Sequence, residues 1–243
     1  MYPDWLNYVD RKRRLNLVQI LQCLSQLQER ANLNFIVIGA LPLLMRGYLA
    51  YKVYWDIDLL FRDDTGMKEF MKKPKPKMLR IVEYDEALMV SKNITSFHTA
   101  WAFDRIWFNV DYIVRKGFFN FYAHDIGQLM PYTETITVHN TNFIICLYMA
   151  HPWDIIVEKV ISPRTTRDVE LQIDTSIDLR HIFAVYTSEK TNLEFWHYIF
   201  EKAKLLCSEH EFKAKFLKIL SSATELGYGH IEISSDSIKL LQG

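Results

Sequence analysis

Two carboxylates stand two residues apart at the start of an apolar run, and they are the side chains best suited to chemistry. Asp56 and Asp58 flank Ile57 and precede Leu59-Leu60-Phe61. If this run is a β-strand, side chains two positions apart point to the same face, so both carboxylates share one side while Ile57 points into the core. Such like charges repel, and a divalent cation with oxygen ligands is their usual counter-charge. The pattern favours a metal site, with two solvated aspartates as the alternative.

A third carboxylate lies inside the apolar segment 106–114, IWFNVDYIV. Asp111 is costly there unless a partner compensates its charge. If this strand lies beside the strand of Asp56, Asp111 completes three carboxylates at one site, and a set without cysteine or histidine favours Mg²⁺ or Mn²⁺ over zinc. A clamp of two such cations can stabilise an in-line displacement at phosphorus. The alternative is that Asp111 forms a buried salt bridge or caps a neighbouring backbone group.

Gly39 supplies a possible anion contact just before this acidic pair. It follows the apolar run Phe35 to Ile38 and precedes a helical stretch that begins at Ala40. A glycine between a strand and a helix lets backbone N–H groups approach an anion, and the helix N-terminus favours negative charge. The unit therefore predicts strand, tight turn, helix and a second strand.

Lys159 is the cation best placed to meet a phosphate. It lies in the segment DIIVEKV of an apolar helix, where a lysine can reach a triphosphate as a point charge or pair with Glu158 or Asp154. Asp174 and Asp178 are expected one turn apart on the next helix, where like charges repel mildly. A basic partner such as Lys159 or Arg167 would relieve that repulsion.

The elements that must position these residues follow from hydrophobic periodicity and turn signals. Residues 15–30 predict an amphipathic helix, and Asp63-Asp64-Thr65 predicts the cap of a short helix that runs to Met71. Residues 78–145 read as strands, with short ones at 79–82 and 87–90, a longer and central one at 106–114, and a hairpin turn at 139–142. Beyond residue 150 the chain predicts helices over 152–161, with Pro152 in the first turn, and over 170–187. Two more start from the capping boxes Thr191/Glu194 and Ser208/Glu211, and the last has an apolar stripe and is stopped by Gly227.

Composition bounds the class of protein. The 243 residues are 49% hydrophobic and 14% aromatic, which is ample for a packed core, and Lys+Arg and Asp+Glu both number 29, so no global field attracts nucleic acid. Basic segments at 11–14 and 72–77 could contact RNA phosphates locally, although solvated surface is the simpler reading. Three widely spaced cysteines favour reduced thiols, and no signal peptide or membrane span is visible, so we expect a soluble cytoplasmic protein.

Taken in order, Gly39-Ala40, Asp56-Ile57-Asp58 and Asp111 resemble the pattern of the nucleotidyltransferase superfamily, whose fold is DNA polymerase β-like. Residues 151–159, HPWDIIVEK, followed by Arg164 or Arg167, Asp174 and Asp178-Leu179, are similar to a helical motif of the AbiEii-like nucleotidyltransferase toxins. The resemblance covers residues 35–182.

The resemblance implies an α+β fold, with a nucleotidyltransferase-like mixed β-sheet core and flanking helices over residues 1–148, followed by a C-terminal helical region over 149–243. It implies transfer of a nucleoside monophosphate from an NTP to an acceptor hydroxyl, with Mg²⁺ or Mn²⁺ as cofactor. RNA, such as the 3′ end of tRNA, is the implied acceptor, and an antitoxin protein is a possible partner.

The resemblance also assigns roles to residues. The catalytic and metal-binding set is Asp56, Asp58 and Asp111, and the nucleotide-binding set is Gly39, Ala40, Lys159 and Asp178. Ala40 stands where the family usually has glycine or serine, and the segment 41–55 is long for the pattern. Both departures motivate the alternative, a catalytically degenerate nucleotide-binding or protein-interaction module on the same fold.

Overall fold

The computed structural model describes residues 3–52, 56–90, 93–124, 131–229 and 231–242, without the side chains of 85–87. The chain divides into two compact units, Met1–Ala150 and His151–Gly243. Within the described residues, the strands belong to the first unit and the second is built from helices. The predicted mixed α+β class with a helical C-terminal region is confirmed.

The first unit contains four α-helices, one short 3₁₀ helix (Asp4–Tyr8) and seven strands among its described residues. The helices are α1 (Arg14–Leu27), α2 (Ala40–Met45), α3 (Asp64–Lys72) and α4 (Phe118–Ala123). The strands are β1 (Phe35–Ile38), β2 (Ile57–Phe61), β3 (Arg80–Val90), β4 (Ile94–Ala102), β5 (Phe108–Arg115), β6 (Tyr132–Val138) and β7 (Thr141–Leu147).

Five strands form a mixed sheet in the order β1-β2-β5-β4-β3, and β6 and β7 form a separate hairpin. β2 and β5 run parallel, and the other neighbouring pairs are antiparallel. The segment predicted to be the central strand is indeed the middle strand of five, β5. This topology places the strand that carries Asp58 directly beside the strand that carries Asp111.

An aromatic cluster covers one face of this sheet. Phe70 of α3 packs edge-on against Tyr112, with ring centroids 5.5 Å apart, and contacts Phe61 and Trp101 as well. These sheet residues alternate with the acidic positions, so burial of the aromatic face leaves Asp58 and Asp111 on the opposite face. The hydrophobic alternation that fixes the register therefore also fixes where the carboxylates point.

The structure corrects several element boundaries in the first unit. α2 is shorter than the predicted helix and leaves Leu49 outside, because Gly47 turns the chain with φ 83°. β3 is one long strand with a register shift between Glu83 and Leu88, where two short strands were predicted. The hairpin turn is only His139-Asn140, whose φ angles of 47° and 60° suit a tight two-residue turn. α4 had no predicted counterpart.

The second unit contains six helices among its described residues: α5 (Pro152–Ile161), α6 (Pro163–Glu170), α7 (Ile177–Glu189), α8 (Leu193–Ala203), α9 (Glu209–Ser222) and α10 (Ser235–Gln242). Within the described chain, no helix has the length and apolar character needed to cross a bilayer.

The predicted helix over 170–187 is wrong at its start. α6 ends at Glu170, and α7 begins only at Ile177, where the Ser176 side chain accepts a hydrogen bond from the Leu179 N–H. Asp174 therefore lies in the connection and not one helical turn before Asp178. The apolar pattern continues through residues 171–176, so the periodicity did not reveal that the Ser176 side chain caps a new helix there.

The helix caps were predicted with mixed success. The predicted cap at Thr191 is wrong by one residue, since Asn192 caps α8. The cap at Ser208 is confirmed, since its hydroxyl accepts from the Glu211 N–H at 3.2 Å. The apolar stripe of α9 is buried as predicted, but the helix ends at Ser222, before Gly227.

Candidate functional site

The sheet places Asp58 and Asp111 side by side. In the parallel pairing of β2 with β5, Asp58 is directly opposite Asp111, and the antiparallel pairing of β5 with β4 sets Asp111 opposite His98. Neighbouring strands lie ~4.8 Å apart, and paired residues project to the same face. We call the sheet side that carries Asp56, Asp58 and Asp111 the acidic face.

Gly39 lies against the Asp58 carboxylate. Its backbone, at φ 77° and ψ −142°, is in a region that side chains rarely allow, and a Cβ atom at this position would overlap the Asp58 carboxylate oxygen. The sequence suggested that glycine is needed for the approach of a backbone to an anion. The anion beside its Cα in the structure is the side chain of Asp58 itself.

α2 contributes less to this site than the sequence suggested. Ala40, its first residue, is buried and offers no polar side chain. The helix has only six residues, so its dipole adds little charge at the N-terminus. The residues 53–55 that precede Asp56 lie outside the described part of the chain.

Asp58 and Asp111 lean away from each other. The Asp58 carboxylate lies toward β1, at Gly39, whereas the Asp111 Oδ1 atom lies toward β4, 3.1 Å from the His98 Nδ1 atom. This divergence increases the separation of two like charges on adjacent strands and so reduces their repulsion. In the part of the chain that the structure describes, no three His, Cys, Asp or Glu side chains form a preformed metal cluster.

Asp111 is the carboxylate whose ionisation is most affected by its surroundings. Burial raises its pKa, a hydrogen bond and charge interaction with His98 oppose that rise, and the negative charge of Asp56 adds to it. The net direction is upward. A raised pKa suits a carboxylate that accepts a proton. The alternative that Asp111 forms a buried salt bridge finds a partial counterpart in the contact with His98.

Asp56 is held by an amide from β5. It lies one residue before β2, is exposed, and accepts a hydrogen bond at Oδ1 from Asn109 Nδ2 at 2.8 Å. The Asn109 Oδ1 atom in turn accepts a hydrogen bond from the Tyr84 hydroxyl of β3. Burial, followed by the charges of Asp111 and Asp56, raises the pKa of Tyr84, so its hydroxyl keeps the proton that it donates.

Three residues of this face had no predicted functional role: His98, Asn109 and Tyr84. Asn109 shares a strand face with Asp111 two residues away, so the period of two could have indicated it. His98 and Tyr84 reach the site from β4 and β3 through the pairing register. That register is a long-range property that the local sequence does not display.

The acidic face fits a hard divalent cation by its donor chemistry. Its three carboxylates offer only oxygen ligands, and Asp58 and Asp111 occupy adjacent positions on one side of the sheet. Rotation about the Asp58 and Asp111 side-chain torsions could turn both carboxylates toward each other, and a cation would compensate the repulsion that keeps them apart. Mg²⁺ and Mn²⁺ therefore suit these residues, although the carboxylates are not gathered in advance.

Lys159 and Asp178 meet in the second unit. They form a buried ion pair between α5 and α7, and Arg164 Nε lies 3.6 Å from the other Asp178 oxygen. Burial alone would raise the pKa of Asp178, but Lys159 and then Arg164 hold it below its usual value. Lys159 was one of the two predicted partners of Asp178, and this pairing is confirmed.

His181 lies near the same charges. It is 2% exposed, and neither ring nitrogen has a hydrogen-bond partner among the described residues. Burial, with the charge of Lys159, lowers its pKa to about 3, so it is neutral at physiological pH. Lys159, Arg164 and Asp178 together therefore carry one net positive charge.

In the basic segments 11–14 and 72–77, some side chains donate hydrogen bonds to backbone carbonyls. Arg13 donates to the Trp107 carbonyl at 2.9 Å, and Arg14 donates to the Val9 carbonyl at 3.0 Å. Lys75 caps the carbonyl end of α3 by donating to Phe70 and Met71, each at 3.0 Å. The expectation that each segment is simply solvated surface is wrong for these residues.

Comparisons with known proteins leave the family open. No protein-family model and no curated protein matches the sequence. Among solved structures, the chain is similar to an antigenic nucleotidyltransferase-like protein from Paracoccidioides brasiliensis, with 13% identity over 90% of this chain and 95% of that one, at a TM-score of 0.42.

Two further structures are from Helicobacter pylori. A nucleotidyltransferase candidate has 10% identity over 99% of both chains, at a TM-score of 0.36. JHP933 has 10% identity over 97% of this chain and 100% of that one, at a TM-score of 0.35. Scores of this size do not establish a shared fold, so the function is argued below from the site itself.

Proposed function

We propose that the chain is a metal-dependent nucleotidyltransferase that moves a nucleoside monophosphate from an NTP to an acceptor hydroxyl. The observation that carries this proposal is the placement of Asp58 opposite Asp111 on adjacent parallel strands, with Gly39 packed against the Asp58 carboxylate. Asp58 and Asp111 are both half-buried and in register on adjacent strands, so their charges repel, and a bound cation would compensate this repulsion. Divalent cations on a carboxylate pair are a recurrent means of stabilising displacement at phosphorus.

In this proposal each acidic residue has a defined task. Asp56, Asp58 and Asp111 would hold Mg²⁺ or Mn²⁺, which neutralises charge on the triphosphate when bound. The acceptor oxygen bonds to the α-phosphorus, the bond from that phosphorus to the bridging oxygen breaks, and pyrophosphate leaves. Asp111, whose pKa is raised by burial, receives the proton of the acceptor hydroxyl.

The nucleotide-binding roles rest on charge and space. The Gly39 turn would let the backbone of Gly39 and Ala40 face a phosphate once Asp58 has moved toward a cation. Lys159, Arg164 and Asp178 carry one net positive charge, and the Arg164 side chain is 59% exposed, so an anion can reach this cluster. Asp178 then serves to hold Lys159 in place.

The acceptor and the biological role are further parts of the proposal. We propose RNA, such as the 3′ end of tRNA, as the acceptor, in a toxin-like cytoplasmic role with an antitoxin partner. These assignments rest on the resemblance of residues 35–182 to toxin nucleotidyltransferases. The exposed side chains of Arg11, Lys12, Lys72 and Lys77 are available for phosphate contacts.

A label-transfer assay tests the proposal. The protein is incubated with each NTP labelled at the α-phosphate, with Mg²⁺ or Mn²⁺, and with total RNA. We expect label to reach an acceptor with at least one NTP, and label at the γ-phosphate to leave with pyrophosphate. Asp111→Asn should reduce transfer by orders of magnitude. Absence of transfer with every NTP, metal and acceptor would contradict the proposal.

The alternative function is a nucleotide-binding module without turnover. It is favoured by the divergence of Asp58 and Asp111 and by the lack of a preformed metal cluster among the described residues. Calorimetry with each NTP distinguishes the two functions when combined with the transfer assay. Binding of a nucleotide without any transfer indicates the module, whereas binding with transfer indicates the enzyme.

A further inference from the structure

The acidic face contains a hydrogen-bond chain that ends at Asp56, one of the three carboxylates of the proposed metal site. The chain runs from the Tyr84 hydroxyl to Asn109 Oδ1, and from Asn109 Nδ2 to Asp56 Oδ1 at 2.8 Å. It crosses from β3 to β5 over β4, where Ala100 is paired with Asn109. Because alanine has a small side chain, the Tyr84 side chain can pass over β4 at this point.

Asp56 needs such support more than the other two carboxylates. Asp58 and Asp111 lie within strands, where the ladder of hydrogen bonds fixes the backbone. Asp56 precedes β2, is exposed, and follows residues 53–55, which lie outside the described chain. An exposed carboxylate at the end of a strand loses rotamer freedom when it binds a ligand, and a hydrogen bond that holds it in advance lowers that cost.

The amide is suited to this task in a way that a carboxylate is not. If the pairing of Ile57 with Val110 continues by one residue, Asp56 stands opposite position 109, just as Asp58 stands opposite Asp111. A fourth carboxylate there would add repulsion, whereas the Asn109 amide donates to Asp56. An ionised carboxylate only accepts hydrogen bonds, so Asn109 turns Nδ2 toward Asp56, and the Tyr84 hydroxyl donates to the remaining Oδ1 atom and so supports this orientation of the amide.

The hydrogen bond from Asn109 occupies one oxygen of the Asp56 carboxylate and leaves the other available. Asn109 occupies Oδ1, and no hydrogen bond to the Asp56 Oδ2 atom is present in the described chain. One oxygen can therefore bind a cation while the other is held. A residue that orients a metal ligand usually forms its hydrogen bond to the ligand atom that does not bind the metal.

We propose that Asn109 is a positioning residue for Asp56, and that Tyr84 supports the orientation of the Asn109 amide, so that the Asp56 Oδ2 atom is presented to a divalent cation. This inference rests on the proposed function, because it assumes that Asp56 binds the cation. It assigns Asn109 and Tyr84 no contact with substrate.

Mn²⁺ binding tests the inference without any need for turnover. The affinity of the full chain for Mn²⁺ is measured from the electron paramagnetic resonance signal of the free ion, and the melting temperature is recorded beside it. Asn109→Leu removes the donor at similar volume, and Tyr84→Phe removes only the hydroxyl from a half-exposed ring. Asn93→Leu is the matched control, because Asn93 is exposed in the connection from β3 to β4.

We expect Asn109→Leu to weaken Mn²⁺ binding by about tenfold, as for the loss of a residue that orients a metal ligand. Tyr84→Phe should weaken binding less, and Asn93→Leu should leave it unchanged, with melting temperatures close to wild type in the variants that fold. If Asn109→Leu does not fold, the Mn²⁺ affinity of Tyr84→Phe alone tests the inference.

The failure of the inference can be told apart from the failure of the function. If Asp56→Asn weakens Mn²⁺ binding while Asn109→Leu and Tyr84→Phe bind as wild type, the positioning role is wrong and the metal site stands. If the wild-type chain binds no Mn²⁺ with or without an NTP, the proposed function and the inference are both wrong. Equal weakening by Asn93→Leu would also overturn the inference, since the effect would then not be local.

Discussion

Gly39 shows how a missing side chain shapes the acidic face. A Cβ atom at this position would meet the Asp58 carboxylate, and the φ angle of 77° adds strain to any substituted residue. Gly39→Ala should therefore destabilise the fold by about 1–3 kcal/mol from the backbone and by about 1–3 kcal/mol more from the overlap. Chemical denaturation measures the sum.

Gly47→Ala is the matched control for this prediction. Gly47 has a similar φ of 83°, but a Cβ atom there would meet nothing within 4 Å. We expect it to show the backbone cost alone, without loss of transfer activity. Equal destabilisation by the two variants would mean that Gly39 and Asp58 are not packed together in solution.

Asp111 gives a prediction about pH. Its pKa is raised in the folded state, so the folded protein is destabilised by ionisation of Asp111 as pH rises through the range between its ordinary pKa, near 3.8, and the raised value. Asp111→Asn removes that cost. The variant should be more stable than wild type at pH 7, and its advantage should shrink as pH falls toward 3.8. Urea denaturation at several pH values measures it, and lower stability of the variant at pH 7 would show that the contact with His98 outweighs burial.

At the scale of elements, the Lys159–Asp178 pair joins α5 to α7. Both side chains are about nine-tenths buried, so Asp178→Asn leaves an uncompensated lysine in the interior and should cost about 3–5 kcal/mol. Replacement of both residues, as Lys159→Met with Asp178→Leu, should cost less than the single change. A thermal or denaturant melt of the three proteins compares them.

The effect of Asp178 on the pH dependence of stability has the opposite sign to the effect of Asp111. The pKa of Asp178 is lowered in the folded state, so its contribution to stability is present at neutral pH. That contribution is lost as pH falls below the ordinary pKa of 3.8 and through the lowered value. If Asp178→Asn is neutral at pH 7, the pair has no net stabilising role.

The sequence predicted the elements best where local signals agreed. β1 followed from a continuous apolar run, and β2 and β5 followed from mostly apolar segments. The cap predicted at Asp63-Asp64-Thr65 is confirmed at Asp63, which accepts a hydrogen bond from the Gly66 N–H at 2.8 Å. The break between α6 and α7 was missed because Ser176 caps a helix within an unbroken apolar pattern. Local periodicity reports which residues are buried, and it does not report where a capping side chain interrupts the backbone.

At the scale of the whole molecule, the sequence predicted which carboxylates share the first unit but not how they are held. Asp56 and Asp58 could be placed on one face from the period of two alone, whereas Asp111 joins them only because β5 pairs with β2 in this register. The support from His98 and Tyr84 could not be predicted, because it depends on the pairing order β5-β4-β3. Pairing order is decided by the packing of the entire sheet, and no stretch of a few residues contains it.

The central claim, that the acidic face is a divalent-cation site, is tested most directly by the melting temperature of wild type and Asp58→Asn with and without Mg²⁺. Asparagine keeps the size of aspartate and removes its charge, so repulsion with Asp111 falls, and the metal-free variant should melt no lower than wild type. Mg²⁺ at about 100 times its dissociation constant should stabilise wild type by about 2.7 kcal/mol. This stabilisation should shrink in the variant, because Asp58→Asn removes a charged ligand of the cation. A strongly destabilised metal-free variant, or an equal rise with Mg²⁺ in both proteins, would contradict it.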